Sequence, residues 1–146
     1  MKAQSVIKSL VAVLFMAIAS VSSAENMKKL GSLEVHYIAL GSTFITPEIA
    51  KAYNIERSRF NGLINISVLD GKTKGKPAKE VSITGTVRNK IGQIKQLEFR
   101  EIKEGSAIYY LADISYRNGE TYRFEIDITD GIEDQKLKFS QTFYVD

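Results

Sequence analysis

The chain has 146 residues, with 20 Lys and Arg against 17 Asp and Glu, one His and no Cys. Lys2 and Lys8 lie in the first 24 residues, which hold no acidic side chain, so the remainder carries 18 basic against 17 acidic residues, a net charge of +1. So balanced a remainder lacks the broad positive field that nucleic acids or anionic membranes require, and the missing Cys excludes disulfides, a lipid-bearing cysteine and thiolate metal sites.

Met1 to Ala24 has the three parts of an export signal: Lys2 and Lys8, an apolar run from Leu10 to Ala19, and small residues Ser22-Ser23-Ala24 before cleavage after Ala24. The run is about half of the roughly 20 apolar residues that span a bilayer, and no second one follows, so no membrane span is expected. Residues 25–146 then form one domain, long enough to bury one core.

From Leu33 onward the apolar residues recur mainly at every second position, the period of a strand with one face buried. This predicts strands at about Leu33 to Leu40, Leu63 to Leu69, Val81 to Arg88, Ile94 to Ile102 and Ala107 to Tyr116. Two more follow, the first built on Tyr122, Phe124, Ile126 and Ile128, the second on Leu137, Phe139, Phe143 and Val145. Asp70-Gly71, Asn89 with Gly92, Glu104-Gly105 and Asn118-Gly119 supply the turns. The last two strands read as a hairpin around Gly131, with Arg123, Glu125 and Asp127 across from Lys136 and Lys138. About seven short strands imply an all-β, immunoglobulin-like antiparallel sandwich, closure as a small barrel being the alternative. Tyr122 is either a tyrosine-corner residue or one more core aromatic, while a tight Asn118-Gly119 hairpin would instead keep its flanking strands in one sheet.

Gly41 to Asn61 breaks the alternation. Thr46 caps and Pro47 begins a short helix there, with Ile49, Ala50 and Tyr53 on one face, which is expected to pack over an open end of the sandwich. Long structured loops on rigid sandwiches commonly carry binding.

Certain residues are recognisable as a set: His36-Tyr37, the segment from Ser42-Thr43-Phe44 through Thr46-Pro47-Glu48 to Tyr53, Ile55 and Arg57-Ser58, then Asn65 to Leu69, Phe99 to Ile102 and Ile108 to Ala112. Over essentially the whole chain after Ala24 they resemble the domain of unknown function 4426 family of exported Gram-negative bacterial proteins. The resemblance implies an immunoglobulin-like sandwich and a periplasmic address. It implies no activity, ligand or catalytic residue.

Acid–base chemistry would fall to His36, the one imidazole, with Ser42 or Ser58 and a carboxylate such as Asp113. Neither serine lies in a nucleophile-elbow sequence. One His without Cys is too few ligands for zinc or copper, and the acidic turn from Asp127 to Asp134 departs from calcium-loop spacing and reads as a solvated hairpin. No metal and no cofactor are expected. The basic loop from Lys72 to Lys79 reads as a soluble hairpin tip, with an anionic partner as its functional alternative. Asn65-Ile66-Ser67 fits the glycosylation pattern but falls in a bacterial strand, where the match is coincidental.

The function expected is therefore a non-enzymatic interaction module of the cell envelope, binding a protein or extended peptide through a sheet edge or through the long loop. Its candidate contacts are His36, Ser42, Thr43, Phe44, Tyr53, Arg57 and Arg59, whose plainer role is to pack the helix and pair with Glu48 or Glu56. The alternatives are a small envelope hydrolase or lyase using His36 with Ser42, Thr43 or Arg57, and a chaperone-like or structural role.

Overall fold

A computed structural model describes residues 26–145; the export signal expected over 1–24 lies outside them. Nine strands follow in order: β1 (Asn26–Leu30), β2 (Leu33–Gly41), β3 (Asn61–Asp70), β4 (Ser82–Arg88), β5 (Ile94–Leu97), β6 (Arg100–Glu104), β7 (Ala107–Ser115), β8 (Thr121–Thr129) and β9 (Asp134–Thr142). A single 3-10 turn (Ser42–Phe44) and one helix, α1 (Pro47–Ala52), lie between β2 and β3. All pairings are antiparallel, in a five-stranded sheet ordered β1-β2-β3-β7-β6 and a four-stranded sheet ordered β5-β4-β8-β9. The fold is the expected all-β sandwich, with nine strands rather than about seven.

Alternation builds the core between the sheets. In β8, Tyr122, Phe124, Ile126 and Ile128 are buried while Thr121, Arg123, Glu125 and Asp127 are exposed. The hairpin with β9 has the anticipated register: Asp127 lies opposite Lys136 and Glu125 opposite Lys138, with ion pairs at 3.6 and 3.8 Å. These pairs are exposed, so they fix register more than they stabilise. Leu33, Val35 and Tyr37 from β2, and Ile64, Ile66 and Val68 from β3, meet this face from the five-stranded sheet.

Two expectations need correction. The strand expected over Ile94 to Ile102 is two strands in different sheets: β5 pairs with β4, and β6 pairs with β7. Leu97 and the partly buried Phe99 both face the same core, so the alternation runs through the crossing without a break. The second correction concerns α1. Thr46 Oγ1 accepts the Ile49 N–H at 3.4 Å as the N-cap, as its sequence requires, but the helix does not close an open end of the sandwich. Ile49, Ala50, Tyr53 and Ile55 lie against Ile38 and Leu40 of β2, Leu63 of β3 and Leu111 of β7, side chains that point away from the core between the sheets. The loop thus covers the outer face of the five-stranded sheet and makes a second, smaller core. Double cover explains why β2 and β3 are buried almost continuously rather than at alternate residues.

The turn at Asn118-Gly119 carries the chain from β7 in one sheet to β8 in the other, with Gly119 at φ +74°, where only glycine is unstrained. Tyr122 Oη accepts the Arg117 N–H at 3.0 Å and donates to Glu120 at 2.7 Å. This is the tyrosine corner, of the two roles the sequence left open.

Candidate binding groove

β6 is shorter than β7. Its register starts at Arg100 opposite Leu111, so β7 continues through Ala112 to Ser115 with β3 on one side and no strand on the other. Beside this open stretch lies a groove of about 1160 Å³. Its walls are the C-terminal half of the long loop, including Asn54 and Phe60, and the β4–β5 hairpin, including Ile91 and Lys95. Asp113, Ile114, Ser115 and Tyr116, four consecutive residues, all line it. Side chains alternate between the faces of a sheet, so four in a row at one surface means that β7 is met edge-on. Tyr122 also lines the groove, and its ring meets Phe143, which stacks on Tyr116 at 4.6 Å, so aromatic packing supports the wall at the corner.

The seven residues singled out from the sequence lie elsewhere. Ser42 is buried; its Oγ donates to Ser58 O at 3.0 Å and accepts the Ser58 N–H at 2.9 Å, closing the base of the loop. Arg57 spans the loop from inside, donating through Nε to Ile45 O at 2.7 Å and through Nη2 to Thr43 O at 3.3 Å. Tyr53 is buried in the second core, where burial first and the Glu104 carboxylate second push its phenol up to about 12. Phe44 and Arg59 are exposed beside these ties.

His36 sits on the outer face of β2, its Nε2 3.2 Å from Glu34 Oε2, and Lys76 Nζ donates to the other Glu34 oxygen at 2.9 Å. Lys76 and then His36 hold the Glu34 carboxyl below the usual range. Ser42 is six residues further along the chain, just past the end of β2, about 20 Å away at the usual strand rise. Asp113 is two strands away and paired with Arg100 at 2.7 Å. His36, the two serines and Asp113 therefore do not converge.

Other charged features are used internally. Asp130 accepts the Ile132 and Glu133 N–H groups, both at 2.8 Å, and takes Lys79 at 2.7 Å. The Glu133 N–H first and Lys79 second hold its carboxyl far below the usual range. Glu133 in turn binds Ser32, so the acidic turn is engaged rather than solvated. Lys76 and Lys79 dock the basic loop on the sandwich instead of leaving it a free tip. Among the described residues, no three His, Cys, Asp or Glu could hold a metal ion together, and no helix is long and apolar enough to cross a membrane.

The model of one family, a domain of unknown function designated DUF4426, matches residues 27–146. The chain belongs to the DUF4426 family. A solved DUF4426 protein from Pseudomonas aeruginosa PAO1 is 33% identical, with a TM-score of 0.72 over 84% of this chain and 96% of that one. The DUF4426 domain also shares its fold with FetP of uropathogenic Escherichia coli strain F11. A copper-bound FetP variant is 13% identical, with a TM-score of 0.56 over 84% of this chain and 92% of that one. As-isolated FetP, expressed in the E. coli periplasm, is 10% identical, with a TM-score of 0.55 over 86% and 99%. No curated protein matches the chain.

The sequence did not point to the groove, although it named residues of its lining for other roles, among them Asp113 as a triad carboxylate and Tyr122 as a corner candidate. Two signals were present: Ile91, a large apolar residue in the polar turn Asn89-Lys90-Ile91-Gly92, and Phe60 at the end of the long loop, 79% and 54% exposed. The remaining lining comes from distant segments that only the topology joins.

Proposed function

We propose that the DUF4426 domain works in the periplasm as a non-enzymatic interaction module that holds a segment of another envelope protein in the groove beside β7. The observation that carries this reading is the groove itself: a recess of about 1160 Å³ with apolar Phe60 exposed on its loop wall and Ile91 on its hairpin wall. The export signal read in the sequence and the periplasmic expression of FetP support the address. The long loop contributes its C-terminal half to the wall, while Ser42 and Arg57 hold it in place. Copper, which the FetP variant holds, is not part of this reading, because the chain has one His and no Cys and no three His, Cys, Asp or Glu among the described residues could hold a metal ion together.

A photoreactive amino acid placed at Ile91 in living cells tests it, with Ile132 as control. Ile132 is 92% exposed but sits in the β8–β9 turn, at the far end of the sandwich. A discrete crosslinked protein from Ile91 and none from Ile132 is expected. Equal adducts from both, or none from Ile91, would remove the proposal.

A further inference from the structure

The hydrogen-bonding direction of β7 follows from its ladder. Tyr116 N–H donates to Phe60 O at 2.8 Å, one step beyond the Asn61–Ser115 pair, so residues 112 and 114 turn their peptide groups toward β3. Asp113 and Ser115 then turn theirs outward. Continuing the β6 register would place Glu98 and Gln96 opposite them, but the chain has crossed sheets by then, and Gln96 pairs with Thr86. Two N–H and two C=O groups are left along the groove.

Exposed edges are usually blunted by charge or proline, because they template pairing with another chain. The outer strands here follow that rule: β1 carries Lys28 and Lys29, β6 carries Arg100 and Lys103, and β9 carries Lys136 and Lys138. The open stretch of β7 is Ala-Asp-Ile-Ser, without lysine or proline, and its one charge is neutralised by Arg100. The lining carries a small positive excess. Asp113 is paired with Arg100, so Lys51, Lys95 and Arg117, which have no ion-pair partner among the described residues, face two charged carboxylates, Glu56 and Glu120, the second of which accepts the Tyr122 O–H.

Resting on the groove reading above, we infer that the bound segment adds to β7 as an extended strand paired with Asp113 and Ser115, carrying acidic side chains between apolar ones. The backbone groups supply binding that does not depend on sequence. Phe60 and Ile91 take apolar side chains, and the unpaired cations select carboxylates at the alternate positions.

Random ten-residue peptides displayed on phage, panned against the full chain as the host cell produces it, provide the probe. The expected winners alternate apolar with acidic residues and lack proline. Added to the 15N-labelled protein, they slow amide exchange at Asp113 and Ser115 at least ~10-fold, and N-methylation of alternate peptide amides abolishes the effect. Winners that shift Phe60 and Ile91 signals but leave those two amides unprotected would overturn strand addition while the groove reading stood. Enrichment of basic peptides, or no enrichment, would overturn the inference. So would protection that rises with protein concentration alone, since a second copy would then occupy the edge. Failure of crosslinking at Ile91, by contrast, would bring down the groove reading itself.

Discussion

Asn65 is fully buried on β3 between Ile38 and Leu111, and neither its side-chain oxygen nor its nitrogen has a hydrogen-bond partner. A buried amide in that state costs about 1–3 kcal/mol. Asn65→Leu keeps the shape and removes the polar atoms, so it is expected to stabilise the domain by about that amount in urea unfolding; a loss of stability would mean that the amide is satisfied in solution. Asp130 acts in the opposite sense. Its carboxyl is held down chiefly by the Glu133 N–H and then by Lys79, so its contribution is fully present above the unfolded value near pH 4 and fades as pH falls through the lower folded value. Asp130→Asn should be less stable at neutral pH and should lose less further stability on acidification than the native protein, as thermal midpoints across the acid range would record. Neither role was legible in the sequence: Asn65 belonged to a coincidental acceptor triplet, and Asp130 looked like a solvated turn residue.

The corner and the loop decide the architecture at the level of elements. Tyr122 ties the β7–β8 crossing through Arg117 N–H, and Tyr122→Phe leaves that donor without its partner. The expected cost is about 1–2 kcal/mol, read by chemical denaturation with the sandwich intact; no change would mean that the ring alone makes the corner. Periodicity made β8 and β9 legible residue by residue, and the Thr46-Pro47 cap made α1 legible to its first turn. The β5–β6 break was not legible, because Leu97 and Phe99 keep the same phase across the crossing and no Gly or Pro marks it. β1 was hidden for another reason: every side chain from Asn26 to Lys29 is exposed, so there is no alternation to read. The outer-face seat of α1 did have a signal, since Ile38, Leu40 and Leu63 are apolar in the phase that should be wet. Such residues on both faces of a strand call for cover on both faces.

For the whole molecule, one sheet edge is left open where the other strands are guarded, and it opens where the long loop, the β4–β5 hairpin and the tyrosine corner meet. No stretch of sequence carries that convergence; it arises because β6 starts four residues short of the end of β7 and its chain leaves for the other sheet. Strand addition depends on this edge being free. Backbone amide exchange on the dilute, unliganded protein tests it most directly. Asp113 and Ser115 should exchange far faster than their neighbours Ala112 and Ile114, whose N–H groups face β3. Four amides equally protected in the dilute protein would show the edge to be closed and would contradict the account.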